Sequence, residues 1–188
     1  MDDSKKLILF AGVNGAGKST LFNMMSEFFC MPRINIDEIA KQLGNWKDSR
    51  IQIEAGKKAL ALQNEYFSND VSFNRETTLC GHEIIETINS AKRNGYFVEI
   101  HYVGVDSVEI CKDRIASRVL RGGHGISDED IERRYIQSLQ NVKKILSQCD
   151  VVFFYDNSLA MHLIADYKEH KIRPMAEQLP EWFENNII

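Results

Sequence analysis

The sequence lacks the features that mark membrane, zinc-binding and nucleic-acid-binding proteins. Its four cysteines are far apart, with no C-x-x-C pair and no histidine at metal spacing, so we expect free thiols and no structural zinc. Lysine and arginine number 23 against 27 aspartate and glutamate, a net charge of −4, so no global basic field would attract nucleic acid or an anionic membrane. The apolar run near the N-terminus is too short for a signal peptide or a membrane span. We therefore expect a cytoplasmic protein without a membrane or nucleic-acid partner.

The sequence also lacks internal repeats, linkers and low-complexity segments. Its 188 residues are 44% hydrophobic and 27% charged, the balance of an ordinary globular protein with enough chain to bury a core. We predict a single domain over residues 1–188.

Apolar segments alternate with helical patterns along this chain. We predict strands over residues 7–11, 33–36, 71–76, 96–105 and 151–155. Helices are predicted over residues 18–29, from 38, and over 48–67, 81–93, 107–120 and 127–148. Such alternation predicts a three-layer α/β domain with a mostly parallel sheet. A hairpin and a terminal helix are expected over about residues 159–188.

The most specific signal is the glycine-rich stretch Gly12-Val-Asn-Gly-Ala-Gly-Lys-Ser-Thr20, which matches G-x-x-x-x-G-K-[ST]. It follows an apolar strand and precedes a helix, so backbone N–H groups and the positive end of the helix dipole would face a bound phosphate. Lys18 would reach the β- and γ-phosphates of ATP, and the Ser19 hydroxyl would bind Mg²⁺. We expect ATP contacts from Gly12, Asn14, Gly15, Ala16, Gly17, Lys18, Ser19 and Thr20.

Polar side chains also come after the second and third predicted strands. Asp37 lies at the carboxyl end of the second strand, where ligands bind in open α/β sheets. Its carboxylate could accept a proton from a substrate hydroxyl or hold Mg²⁺ through water, and it could equally well be a plain helix cap. Glu76, Thr77 and Thr78 suit hydrogen bonds to a sugar or polyol, or they could simply end the strand and cap the next element. Asn35 could orient the same site.

A segment over about residues 118–135 is rich in arginine and is broken by Gly122-Gly-His-Gly125. A mobile lid carrying arginines could cover the transferred phosphoryl group, on which charge develops during transfer. The fixed fork of arginine suits phosphate oxygens, although some of these side chains are expected to be ordinary surface residues. His124 is expected to be a turn or lid contact rather than a base. The candidate lid arginines are Arg118, Arg121, Arg133 and Arg134.

Two other classes of phosphate-loop protein fit the sequence less well. The chain has no N-K-x-D motif to read guanine, which argues against a GTPase. No strand ends in an acidic pair after four apolar residues, which argues against a motor or transport ATPase.

The ordered set of motifs resembles the zeta toxin family, especially its stand-alone "predicted ABC-type ATPase" branch. The resemblance covers roughly residues 5–160 and rests on the phosphate loop, Ile34-Asn-Ile-Asp37, Glu76-Thr-Thr78, the Arg-Gly-Gly-His lid, Arg134-Tyr135 and Tyr155-Asp-Asn157. It implies a nucleotide-kinase-like P-loop fold that uses ATP and Mg²⁺ to phosphorylate the sugar 3′-hydroxyl of a UDP-N-acetyl amino sugar such as UDP-N-acetylglucosamine. It also allows for an antitoxin protein as a partner.

The resemblance assigns roles to individual residues. Asp37 looks like the catalytic base and Lys18 like the phosphate-binding lysine. Arg121 and Arg134 look like the catalytic arginines of the lid, although Arg118 or Arg133 could take their places. The expected substrate contacts are Asn35, Asp37, Glu76 and Thr78, and Asn157 is expected to join the ATP site.

The sequence departs from the family at Cys80. Toxins of the family carry an arginine two residues after the threonine that corresponds to Thr78, and that arginine helps to hold the nucleotide-sugar. The acceptor could therefore be another small hydroxyl compound. A regulatory or binding ATPase without an acceptor is the alternative from a different class, and only a kinase requires Asp37 to face an empty acceptor pocket.

Overall fold

The computed structural model describes residues 4–45, 48–123 and 125–188. Short 3-10 turns at Ser26–Phe28 and Leu146–Gln148 come after the first and sixth helices. In chain order, the other elements are β1 (Lys6–Ala11), α1 (Lys18–Met25), β2 (Arg33–Ile34), α2 (Ile36–Leu43), α3 (Ser49–Ser68), β3 (Phe73–Thr77), α4 (His82–Arg93), β4 (Phe97–Gly104), α5 (Val108–Leu120), α6 (Asp128–Ile145), β5 (Val151–Asp156), β6 (His162–Lys168), β7 (Lys171–Pro174) and α7 (Glu181–Asn186).

The strands form one seven-stranded sheet in the order β2-β3-β1-β4-β5-β6-β7. The first five strands of this order run parallel, and β6 and β7 continue the sheet as an antiparallel hairpin. Strand β1 lies between β3 and β4, with Leu7 opposite both Phe73 and Val98. The mostly parallel α/β fold that the sequence predicts is confirmed. A hairpin of β6 and β7 and the helix α7 follow the parallel strands.

Strand β1 divides two hydrophobic cores, which is why it reads as a continuous apolar run. Leu7 and Leu9 pack into the larger core, whereas Ile8 and Phe10 pack into the smaller one on the opposite face. Successive side chains of a strand point to opposite faces, so a strand covered by helices on both sides must be apolar throughout. The phosphate-binding loop therefore starts from a strand that is buried on both faces.

Several element boundaries differ from those that the sequence predicts, among them the ends of the first helix and of the second strand. The first helix ends at Met25 and tightens into the 3-10 turn, whereas the sequence predicts a helix to residue 29. The second strand has only two residues, because Asn35 leaves it to begin α2. None of the helices within the described ranges is long and apolar enough to cross a membrane.

Candidate active site

The phosphate-binding loop connects β1 to α1 and is shaped by glycines at positive φ. Gly12 has a φ of 136°, and a Cβ atom there would lie 2.3 Å from the carbonyl oxygen of Val103. Gly17 has a φ of 113°, and its Cβ atom would lie 2.4 Å from Nδ2 of Asn157. Any larger residue at either position would require the surroundings to shift. The loop thus lies tightly between β4 and the chain just beyond β5.

Lys18, the first residue of α1, is buried beneath this loop. Its Nζ donates a hydrogen bond to the carbonyl oxygen of Val13 at 3.1 Å and lies 4.0 Å from Oε1 of Glu76. Burial lowers the pKa of Lys18, and the negative charges of Glu76 and Asp37 partly offset this effect. Phosphate oxygens would offset it further, so the lysine is suited to the phosphate contact expected of it.

Asn157, the residue after β5, ties the loop to the far side of the sheet. Its side-chain Nδ2 donates to the carbonyl oxygen of Ala16 at 2.7 Å, and its backbone carbonyl oxygen accepts from Nη2 of Arg114 at 2.7 Å. Asn157 also lines the cavity in front of the loop, where the resemblance leads us to expect ATP. The sequence does not single out Arg114, because its contacts depend on how α5 packs beside the loop.

Glu76, near the carboxyl end of β3, joins the phosphate loop to β2. Its two carboxylate oxygens accept hydrogen bonds from the Ser19 hydroxyl at 3.1 and 3.0 Å. Its Oε2 also accepts from Nη2 of Arg33 at 2.8 Å and from Nδ2 of Asn35 at 3.0 Å. A hydroxyl beside carboxylates is a set of hard oxygen donors of the kind that Mg²⁺ prefers. Ser19 and Glu76 therefore fit the metal that this loop is expected to use.

Asp37 is the second residue of α2 and is exposed, and it does not cap the helix. The cap is Asn35, whose Oδ1 accepts from the backbone N–H groups of Asp37 at 2.9 Å and of Glu38 at 3.3 Å. The alternative in which Asp37 is only a helix cap is therefore wrong. The carboxylate of Asp37 faces the cavities in front of the sheet instead.

Two cavities meet in front of the carboxyl ends of β1, β2 and β3. The phosphate cavity, of about 450 Å³, is lined by the loop and by α5. The acceptor cavity, of about 350 Å³, is lined by residues 35–37, 75–78, 80 and 83 and by Arg134. Both cavities have four residues in common: Asn14, Lys18, Asp37 and Glu76. The expected phosphate lysine and the expected base thus lie where a donor and an acceptor would meet.

The predicted site residues divide between these cavities. Asn35 and Thr78 line the acceptor cavity together with Asp37 and Glu76, and their role as substrate contacts stays a prediction. The phosphate cavity is lined by Asn14, Gly15, Gly17, Lys18, Ser19, Thr20 and Asn157 from the predicted ATP site. Two further predicted ATP contacts, Gly12 and Ala16, are not among the residues that line this cavity and instead shape the loop. Gly12 lies close to the backbone of Val103, and the carbonyl oxygen of Ala16 accepts a hydrogen bond from Asn157.

The candidate lid arginines lie in different surroundings. Arg134 lines the acceptor cavity and donates from Nη1 to Oδ1 of Asn14 at 3.0 Å. Arg118 lines the phosphate cavity, whereas Arg121 lines a neighbouring cavity that Arg118 shares. Arg133 is exposed and pairs with Asp130 on its own helix. Arg118 and Arg134 thus lie nearest to the two cavities, and His124 falls outside the described residues.

The sequence does not reveal three charged residues of the site. Arg33 stacks on Phe22, with its guanidinium carbon 3.5 Å from the ring centroid, and holds Glu76. Arg75 and Glu83 form an ion pair on the wall of the acceptor cavity. Arg75 lies on β3 and Glu83 lies on α4, so the pair joins two different elements, and no periodicity within a single element indicates it.

A larger cavity, of about 690 Å³, lies elsewhere. It is lined by Phe97 and Asp150, at the starts of β4 and β5, and therefore opens at the amino edge of the parallel strands. Ligands of open α/β sheets bind at the opposite, carboxyl edge. We therefore identify the site by its chemistry rather than by cavity size.

A phosphate loop on the central strand of a parallel β2-β3-β1-β4-β5 sheet, with a second cavity beside it, is the arrangement of a P-loop kinase. The model of the Zeta toxin family matches residues 1–168, and the chain belongs to that family. An uncharacterized protein of Haemophilus influenzae is 37% identical over 130 residues, which cover 69% of this chain and 92% of that relative.

Solved structures share the fold at low sequence identity. A chain from the complex of AvrRxo1-ORF1 with AvrRxo1-ORF2 superposes with a TM-score of 0.77 at 12% identity over 98% of this chain. The present chain spans 64% of that chain's length. A chain from the PezAT toxin-antitoxin system of Streptococcus pneumoniae gives a TM-score of 0.69 at 20% identity, over 90% of this chain and 75% of that one. These likenesses show the P-loop kinase fold.

Proposed function

We propose that the protein transfers the γ-phosphoryl group of ATP, with Mg²⁺, to a hydroxyl group of a small molecule. The observation that carries this proposal is that Lys18 and Asp37 line both the phosphate cavity and the acceptor cavity. A phosphate-binding cation and a carboxylate thus meet between the two cavities. A nucleotide-dependent switch would require no second cavity, so the arrangement favours a kinase over a regulatory ATPase.

The residues of the loop account for the binding of the donor. Backbone N–H groups and Lys18 would hold the phosphates, and Ser19 with Glu76 would hold Mg²⁺. Mg²⁺ held there would supply positive charge that offsets the negative charge of the phosphates. Glu76 is kept in place by Arg33 and Asn35, so its carboxylate is oriented before any ligand binds.

Asp37 and the arginines account for the transfer step. The Asp37 carboxylate accepts the proton of the attacking hydroxyl, which makes the acceptor oxygen a better nucleophile. This oxygen bonds to the γ-phosphorus as the bond to the β,γ-bridging oxygen breaks, and ADP leaves. Arg134, anchored to Asn14 of the loop, and Arg118 on α5 lie where they can stabilise charge on the transferring group. Arg121 remains a candidate for the same role if the lid moves towards the phosphates.

The identity of the acceptor is a finer part of the proposal. The family resemblance makes a UDP-N-acetyl amino sugar the first acceptor to test, and another small hydroxyl compound is the alternative. An antitoxin protein as partner also stays a prediction. PezAT is a toxin-antitoxin system, and AvrRxo1-ORF1 forms a complex with AvrRxo1-ORF2. These associations belong to those proteins.

The variant Asp37→Asn tests the proposal most simply. Because Asn35 caps α2, the variant should keep its fold and lose only a favourable first-turn charge, about 0.3–1 kcal/mol. ATP should still bind, since the phosphate loop is unchanged. Phosphoryl transfer to the acceptor should fall by about 10²–10⁴-fold because the general base is lost. The melting temperature, ATP affinity and transfer rate are measured on the same preparation.

Glu181→Gln is a matched control for this experiment. It makes the same change of carboxylate to amide at an exposed position in the first turn of another helix, α7. It should leave transfer unchanged. Near-normal transfer in Asp37→Asn would remove Asp37 from the mechanism.

A further inference from the structure

We propose that the acceptor is an uncharged hydroxyl compound rather than a phosphorylated one such as a nucleotide-sugar, and that Glu83 sets this specificity by neutralising Arg75. The inference rests on the proposed function and names its substrate class. It follows from the charges on the wall of the acceptor cavity, where each described cation already has a partner or a role.

Arg75 is one of the cations on the wall of the acceptor cavity, but Glu83 neutralises its charge within the protein. The guanidinium donates from Nη1 and Nη2 to the two carboxylate oxygens of Glu83, at 2.8 and 3.0 Å. Nη1 also donates to Oε1 of Gln63 at 2.6 Å, and the Arg75 side chain is only 7% exposed. A bidentate arginine–carboxylate pair of this kind is among the strongest that proteins form. Arg75 is therefore held away from any ligand.

Glu83 is the partner that the cavity presents to a ligand. Its side chain is 55% exposed, and it lies in the first turn of α4, where the helix dipole stabilises a negative charge. A carboxylate on the wall repels phosphate groups and can accept hydrogen bonds from hydroxyl groups. The accessible surface of the Arg75–Glu83 pair thus favours a polyol over a phosphate ester.

Cys80 adds no charge to the same wall. Burial raises the pKa of its thiol, so the group is neutral at physiological pH. Its Sγ contacts the carbonyl oxygens of Thr78 at 3.4 Å and of Arg134 at 3.3 Å. The thiol therefore fills space between β3 and α6 without providing the positive charge that a diphosphate group would require.

The remaining charged residues of the acceptor cavity lie close to the phosphate loop or are paired within the protein. Arg134 is bonded to Asn14 of the phosphate loop, and Lys18 lies beneath that loop. Glu76 is paired with Arg33, which leaves Asp37 as the base. Among the described lining residues, the acidic groups Asp37, Glu76 and Glu83 match Lys18, Arg75 and Arg134 in number before ATP enters. The negative charge of ATP then makes a second anionic ligand still less favourable.

The size of the cavity agrees with a small acceptor. Its volume of about 350 Å³ lies near the lower end of the range for ligand sites, roughly 300–1,000 Å³. A single sugar or polyol ring suits this space better than a nucleotide carrying a sugar.

Binding of UDP-N-acetylglucosamine to the wild type and two variants tests the inference. Calorimetry is done with Mg²⁺ and a non-hydrolysable ATP analogue, on the wild type, Cys80→Arg and Glu83→Gln. Cys80→Arg adds a cation to the wall, and Glu83→Gln frees the charge of Arg75 while keeping an oxygen that can accept its hydrogen bond. Each variant should bind the nucleotide-sugar about tenfold more tightly than the wild type, since one charged hydrogen bond contributes about that factor.

Glu86→Gln is the control, because it makes the same change at an exposed position of the same helix. It should bind the nucleotide-sugar as the wild type does. Equal affinity in the wild type, Cys80→Arg and Glu83→Gln would overturn the inference, whether binding is tight or weak. If Glu83→Gln does not fold because Arg75 is left buried with a weaker partner, Cys80→Arg still decides the question.

Transfer assays separate this inference from the proposed function. Wild-type kcat/KM should be at least about tenfold higher for an uncharged sugar or polyol than for its phosphorylated counterpart. Preference for UDP-N-acetylglucosamine would overturn the inference and leave the kinase intact. Absence of transfer to any acceptor would count against the kinase itself, and the binding comparison would still decide the charge of the acceptor.

Discussion

At the scale of single residues, Lys18 is a buried charge that we expect to bind phosphate and to lower the stability of the nucleotide-free protein. Its ammonium group is buried in the phosphate loop, and burial lowers its pKa although Glu76 and Asp37 lie near. A buried cation of this kind destabilises the nucleotide-free protein and is stabilised when phosphates arrive. Arg75 is the opposite case, because Glu83 cancels its charge within the fold.

Replacing Lys18 by methionine should therefore raise the melting temperature of the nucleotide-free protein and abolish the stabilisation by ATP. Because the folded pKa of Lys18 is lower than its unfolded value of about 10.5, the unfolded state holds the extra proton between the two values. Wild-type stability from this group thus rises with pH across that interval, and the rise should vanish in the variant. Thermal melts from neutral to alkaline pH, with and without ATP, measure both effects.

Lys57→Met, at an exposed position of α3, is the control for this prediction. It should shift neither the pH dependence nor the response to ATP. A Lys18→Met variant that melts lower than the wild type, or that is still stabilised by ATP, would contradict the role given to Lys18.

At the scale of elements, the start of α2 shows where prediction from sequence stops. Asn35 and Asp37 are equally good helix caps by residue type, and the pattern alone allows either. The choice is made by tertiary contacts, because Nδ2 of Asn35 reaches Glu76 on β3 while its Oδ1 caps the helix. Asp37 is thereby left facing the cavities. The motif indicates both residues, but only the packing assigns their roles.

The helix α7 packs at the carboxyl ends of β4 and β5. Trp182 is buried against Gly104 of β4, where an added Cβ would lie 2.4 Å from its ring, and its Nε1 donates to Oδ1 of Asp156 at 2.8 Å. Strand β6 pairs with β5 along the same edge. We propose on these contacts that the hairpin and α7 unfold together with the rest of the chain as one domain.

Trp182→Ala should lower the stability of that whole unit by about 3–5 kcal/mol, because it empties a large buried site. Calorimetry should show one transition in both proteins, at a lower temperature in the variant. Trp182→Phe keeps an aromatic ring and should cost less. Two transitions, of which only one responds to Trp182→Ala, would show that the C-terminal elements form a separate unit.

At the scale of the whole molecule, the architecture was predictable, but the ion pairs around the acceptor cavity were not. Alternating strands and helices predict a parallel sheet, and the apolar run before Gly12 predicts its central strand, because these depend on local patterns. The pairing of Arg75 with Glu83 and the hold of Arg33 on Glu76 depend on how separate elements meet. The residues expected to bind the donor could thus be proposed from the sequence, whereas the Arg75–Glu83 pair, which we propose to select the acceptor, required the fold.

The central claim is that the γ-phosphoryl group of ATP is passed to an alcohol and not to water. The most direct measurement traces ATP labelled in that group, incubated with the protein, Mg²⁺ and a panel of uncharged sugars, polyols and nucleotide-sugars. We expect label in a stable phosphate ester of one acceptor, reduced about 10²–10⁴-fold by Asp37→Asn. Label found only as inorganic phosphate across the whole panel, or an ester formed equally well by Asp37→Asn, would contradict the claim.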